Sequence, residues 1–167
     1  MSADDRLQRL ADALAGARRS GQALPMAPWL GCLRDADEAY AVQDRVAAAL
    51  GWFGGTPPRF WKSGGPSRQA VLTHAGLPPA GVQAVAPGQT ASLQGQHFHR
   101  RGIEAEVALR TRRDVTAGEV AAWAAGTTPP ARELVDAMTV SVEVVDTRWA
   151  APAPDAPGAP EGLSHVI

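Results

Sequence analysis

Residues 102–110 read Gly102-Ile103-Glu104-Ala105-Glu106-Val107-Ala108-Leu109-Arg110. Apolar and polar residues alternate along this stretch, the period of a β-strand. Ile103, Ala105, Val107 and Leu109 fall on one face, and Glu104 and Glu106 share the other. A second segment of strand character, Thr139 to Thr147, is rich in valine and carries one acid in its middle, Glu143, with Val142 and Val144 on the opposite face. These two segments set the β part of the fold.

Upstream the pattern is helical. Leu7, Leu10, Ala11 and Leu14 recur on one face, Ser2 or Asp4 offers a cap, and Gly21 marks the end. Asp35 followed by Glu38 predicts a capping box for a second helix, with Ala39, Val42, Val46, Ala49 and Leu50 on its apolar face and Gly51 as its stop. Between the helical pair and the acidic strand the pattern is broken. Phe60 to Ser63 reads as a brief strand before a Gly64-Gly65-Pro66 turn, and Leu77-Pro78-Pro79 is a further break. Beyond the acidic strand, Thr116 and Glu119 make another capping box, for a helix through Val120 and Trp123 ending near Gly126. A short helix through Leu134 and Val135 follows. The fold class is α+β. Residues 1–55 are expected as a helical region, 56–149 as a β-rich region, which the family resemblance described below makes an incomplete one of catalytic type, and 150–167 as an Ala/Pro-rich irregular tail.

Composition narrows the function classes. The formal net charge is -1, which gives no long-range attraction to nucleic acid or to an anionic membrane. There is one cysteine, Cys32, so no intramolecular disulfide forms, and the residue is expected as a small buried hydrophobe. The start, MSADDRLQRL, lacks a signal-peptide apolar run, and no stretch approaches a membrane span. A cytoplasmic setting is expected. Motifs for phosphate loops, dinucleotides, zinc proteases and nucleophile elbows are absent.

Glu104 and Glu106 are the most informative pair. Adjacent carboxylates repel unless a cation or protons neutralise them, and a hard divalent ion accepts such oxygen ligands. Glu143 would complete a three-carboxylate site if its strand came alongside. The plainer reading is a solvent-facing strand whose acids are neutralised by Arg101 or Arg148; spacing alone leaves both open. Lys62, between Trp61 and a Ser-Gly-Gly turn, is suited to binding a carboxylate or moving a proton. It is the single lysine beside 15 arginines, although a surface lysine is the ordinary alternative. His97 and His99 suggest local structure or a substrate-facing role, His74 and His165 stand isolated, and Asp146 with Arg148 suggests a rigid pair. Trp52, Phe53, Phe60 and Trp61 are expected in the core rather than as a stacking platform.

Four stretches taken together resemble the 2-keto-4-pentenoate hydratase family, which includes 4-oxalocrotonate decarboxylases and lies within the fumarylacetoacetate hydrolase superfamily. They are Asp37-Glu38-Ala39-Tyr40-Ala41-Val42-Gln43, Trp61-Lys62-Ser63-Gly64-Gly65, Gly102-Ile103-Glu104-Ala105-Glu106-Val107-Ala108, and Val140-Ser141-Val142-Glu143-Val144-Val145-Asp146-Thr147-Arg148. Their order and spacing agree with the family. The chain departs from it at Leu77-Pro78-Pro79-Ala80-Gly81, where relatives commonly carry an aspartate. Relatives also continue past the point where this chain stops, so the resemblance implies an N-terminal portion, a truncated form of the family's mixed β fold.

The resemblance implies that Glu104, Glu106 and Glu143 hold Mg²⁺ or Mn²⁺, that Lys62 is catalytic, and that Lys62, Ser63 and Arg148 contact a small 2-keto acid. The implied reaction is a lyase step, the addition of water to a 2-hydroxy-2,4-dienoate to give a 4-hydroxy-2-oxo acid, of the kind used in aromatic catabolism. A 2-oxo acid decarboxylase, an acylpyruvate-type hydrolase and a catalytically inactive remnant are the alternatives. The implied partners are a second copy of the chain or a full-length homologue.

Overall fold

The computed structural model describes residues 2–65, 67 and 69–150. Expectations for Pro66, for residues 151–167 and for His165 lie outside them. The described residues contain helices and two small antiparallel sheets, so the class is α+β. Contacts divide the chain into two compact units. One is Met1–His99 with Thr147–Ile167, and the other is Arg100–Asp146.

The first unit is built on α1 (Ala3–Ser20) and α2 (Ala36–Leu50). Ser2 and Asp5 cap α1 reciprocally, the serine hydroxyl accepting from the Asp5 N–H and the aspartate accepting from the Ser2 N–H. Gly21, at φ 68°, ends the helix in the left-handed conformation that glycine adopts without steric cost. Asp4 and Asp5 at the start and Arg18 and Arg19 at the end complement the helix dipole.

In α2 the Asp35 side chain accepts from the Glu38 N–H, but the expected return bond is absent. Glu38 turns instead to the Arg34 N–H and to the Arg6 guanidinium of α1, and this inter-helix pair holds its carboxyl below the usual range. Arg45 makes a second inter-helix pair with Asp4.

The core follows from the two apolar stripes. Leu7, Leu10, Ala11 and Leu14 pack against Val42 and Val46, with Leu10 and Val42 fully buried. Ala47, rather than Ala49, joins the buried face of α2. The remaining member of the buried cluster is Trp149. Cys32 is half-buried and packs on the same cluster.

The unit also holds a hairpin of β1 (Phe60–Gly64) and β2 (Thr73–Leu77), with Lys62 opposite Ala75 and Ser63 opposite His74. Gly76 is required at its position in β2, because a Cβ there would meet Pro58 Cγ at 2.6 Å. Of the four aromatics expected in the core, Trp52 is half-buried against it. Phe53 is half-buried but outside it, and Phe60 and Trp61 are exposed, Trp61 by 57%. The helical pair and Trp149 fill the core without them.

The second unit is a long hairpin of β3 (Gly102–Thr111) and β4 (Val135–Val145), joined through α3 (Ala117–Ala124) and α4 (Ala131–Leu134). Val135, expected in a helix, begins β4 instead. A four-residue helix is too short to hold a β-branched residue that pairs with Thr111, and Asp136 then reaches Arg110 across the sheet at 2.7 Å. The hairpin is strongly two-faced. Ile103, Val107, Leu109, Met138, Val140 and Val142 are 59% to 77% exposed on one side, and the acids lie on the other. No helix among the described residues is long and apolar enough to cross a membrane.

The cap of α3 supplies a pH prediction. Glu119 accepts from the Thr116 N–H and hydroxyl and pairs with Arg113 at 2.6 Å. These contacts, the Arg113 bond foremost, hold its carboxyl at about 2 against an ordinary 4.5. A depressed carboxyl contributes stability that is present above the unfolded value and is lost as pH falls through the folded one. The cap is therefore expected to weaken between pH 4.5 and 2. The Glu119 carboxyl carbon, followed by NMR, should titrate near the lower value; a midpoint at 4.5 would refute the cap.

Candidate metal centre

The pleat of β3 places Glu104 and Glu106 on one face. The register sets Glu143 of β4 directly opposite Glu104, with Ser141 opposite Glu106. Glu143 is thereby diagonal to Glu106 and within reach of both acids. One carboxylate oxygen from each of the three lies within 4.8 Å of the other two. Glu106 and Glu143 are half-buried and Glu104 is exposed, so the cluster opens toward its Glu104 side.

Carboxylates placed directly opposite one another across a sheet repel. Arg110, four residues further along β3 from Glu106, is engaged bidentately by Asp136, at 2.7 and 3.2 Å. That pairing raises the arginine's pKa and lowers the aspartate's. A purely oxygen donor set of this charge suits hard cations such as Mg²⁺ and Mn²⁺ better than zinc or copper, which favour imidazole and thiolate. The donors present therefore fit the implied ion. Three protein ligands would leave coordination positions for water or substrate.

The structure brings together the three acids singled out from sequence. The other three candidate residues belong to the first unit. Lys62 is half-buried in β1, and its neighbour Ser63 points from the opposite face of that strand. Arg148 is half-buried, and its carbonyl accepts the Leu24 N–H at 2.8 Å. His97 and His99 meet edge to face at 5.1 Å, and His97 lies against Gly21. Asp146 accepts the Arg100 N–H at 2.6 Å and so ties the open end of the β3–β4 hairpin.

His74, read from sequence as isolated, is not isolated in the fold. His74 stacks on Tyr40 of α2 at 4.5 Å. The spacing of 34 residues between them carries no local signal, and the contact arises only once β2 is formed.

No family model, no curated protein and no solved structure matches the chain.

Proposed function

We propose that this chain carries the metal site of a divalent-metal-dependent hydratase. The enzyme adds water to a 2-hydroxy-2,4-dienoate and yields a 4-hydroxy-2-oxo acid. The observation that carries the reading is the convergence of Glu104, Glu106 and Glu143 from two strands. Sequence spacing places only the first two together; the third arrives through the strand register.

In this reading the three carboxylates hold Mg²⁺ or Mn²⁺. The bound ion supplies Lewis-acid stabilisation of the negative charge that develops on the substrate's 2-oxygen. Glu104 and Glu143, facing each other across the sheet, fix the site's position on a rigid element, whereas a loop would leave it loose. The family resemblance assigns proton handling to the Lys62 amine, and substrate contacts to Lys62, Ser63 and Arg148. It also carries the fold type, a cytoplasmic setting and self-association. The apolar face of β3 and β4 supports the fold type, since a two-stranded hairpin with such a face is normally one part of a larger β layer.

The test is turnover. With Mn²⁺ present, the purified chain should consume 2-hydroxypenta-2,4-dienoate, with loss of its diene absorbance and a product one water heavier. A chelator and Glu104→Gln should each stop the reaction. Release of CO₂ from a 2-oxo diacid under the same conditions would move the assignment to the decarboxylase. A folded, metal-bound chain that turns over neither substrate would sink the enzymatic reading.

A further inference from the structure

Four aromatic side chains that are not fully buried gather at one place in the first unit. Of the five Trp, three Phe and one Tyr in the chain, Tyr40, Trp52, Phe53 and Trp61 line one cleft of the first unit, together with His74. The cleft lies between α2 and the β1–β2 hairpin and measures about 600 Å³, within the range of small-molecule sites.

Its walls are held in place. The Tyr40 hydroxyl accepts the His74 backbone N–H at 3.2 Å and lies 3.2 Å from His74 Nδ1, with the two rings stacked. The Trp61 indole donates to the Pro58 carbonyl at 3.0 Å, and its ring sits 5.9 Å from His74. These bonds fix the rings before any ligand arrives, which lowers the ordering cost of binding.

Charge decides the ligand class. Asp44, one helical turn after Tyr40 on α2, is the only Asp, Glu, Lys or Arg among the lining residues. Among the described residues no arginine or lysine lines the cleft, so its described walls offer no ammonium or guanidinium partner to a carboxylate or phosphate. Aromatic faces carry negative quadrupoles and attract cations, most strongly those with diffuse charge and little hydration.

We infer that this cleft binds a small organic cation, an alkylated or quaternary ammonium group packed against Trp61 and Tyr40 and balanced by Asp44. This ligand class is opposite in charge to the 2-oxo acid of the proposed reaction, and the inference does not depend on that reading.

The probe is benzyltrimethylammonium chloride, titrated calorimetrically into the full chain, with sodium benzoate as its anionic counterpart. Saturable binding of the cation alone is expected. Trp61→Ala should weaken it about fivefold or more, and Asp44→Asn about threefold. Trp123→Ala, in the other unit, should leave it unchanged. Trp61 lies outside the core, so its loss should spare the fold, which circular dichroism checks. If that variant still fails to fold, Asp44→Asn, an exposed near-isosteric change, carries the test. Benzoate binding as tightly as the cation, no saturable cation binding, or full affinity in a folded Trp61→Ala or Asp44→Asn variant would each overturn the inference.

Discussion

Glu104→Gln is expected to weaken Mn²⁺ binding by at least about tenfold, because affinity at an all-oxygen site follows the number of charged ligands. The substitution keeps the shape of the side chain and removes one of three negative charges that meet within 4.8 Å. Glu106→Gln and Glu143→Gln should behave alike, since each acid has an oxygen within 4.8 Å of the other two. Two controls come from the structure. Glu119→Gln should leave binding intact, because that acid is engaged by Arg113 and Thr116. Ser141→Ala removes a hydroxyl opposite Glu106 and tests whether the effect is confined to the acids. Metal binding must also appear as stability. At a concentration a hundredfold above Kd, a ligand bound only by the native state contributes about 2.7 kcal/mol. For a chain of this size that corresponds to a rise of about 5–10 °C in Tm, if the hairpin and the helical pair melt together. The rise should vanish in Glu104→Gln and shrink at acid pH, where the carboxylates take up protons. Calorimetry and thermal melts on the same samples measure both effects. Unchanged Mn²⁺ affinity in Glu104→Gln would end the metal-site reading.

How much of this was legible depended on whether the information was local. The helical pair was, since its apolar stripes recur at helical spacing and Ser2, Asp35, Gly21 and Gly51 stand where helices start and stop. The acidic strand was legible for the same reason, its alternation being nearly uninterrupted. Strand β2 was not. Thr-His-Ala-Gly-Leu has weak strand propensity, and its state is fixed by pairing with β1 and by the close approach of Pro58 to Gly76. The departure at Glu38 has a similar origin, since a long-range partner, Arg6, outcompetes the local cap bond. The candidate site divides along the same line. That Glu104 and Glu106 share a face follows from strand period alone. That Glu143 faces Glu104 is a matter of register, which nothing short of the folded hairpin supplies. The aromatic cleft was hidden because hydrophobicity alone sends Trp61 and Phe53 to the core, whereas the core is built from the two helices' leucine, alanine and valine stripes and Trp149.

Trp149→Ala is expected to cost the first unit about 3–5 kcal/mol, the usual penalty for emptying a buried tryptophan site. Trp149 is 6% exposed and packs into the cluster of Leu7, Leu10, Leu14, Val42 and Val46. Nothing local predicts its burial, for it stands next to an Ala/Pro-rich tail and belongs to no helix or strand. Its place is set by backbone. The Leu24 N–H donates to the Arg148 carbonyl at 2.8 Å, and the Ala150 N–H donates to the Leu24 carbonyl at 2.7 Å. This two-bond bridge brackets the indole and presents it to the helices. The bridge spans 125 residues of chain, so its formation carries a large loop-closure entropy, and burial of the tryptophan is the favourable term that offsets it. Alanine removes that term and leaves a cavity between two helices otherwise tied by one part-buried ion pair, Arg6–Glu38, and one more exposed pair, Arg45–Asp4. A domain with typical stability of about 5–15 kcal/mol would lose a large fraction of it. Urea unfolding, followed by helical circular dichroism, measures the change in the first unit, where most of the helix lies. Trp123→Ala, a half-buried indole on α3 outside the core, is the comparison and should cost distinctly less. Equal costs for the two would show that Trp149 does not close the core. A larger cost at Trp149 with an unchanged Mn²⁺ isotherm would show that the acidic hairpin keeps its site while the helical unit is weakened.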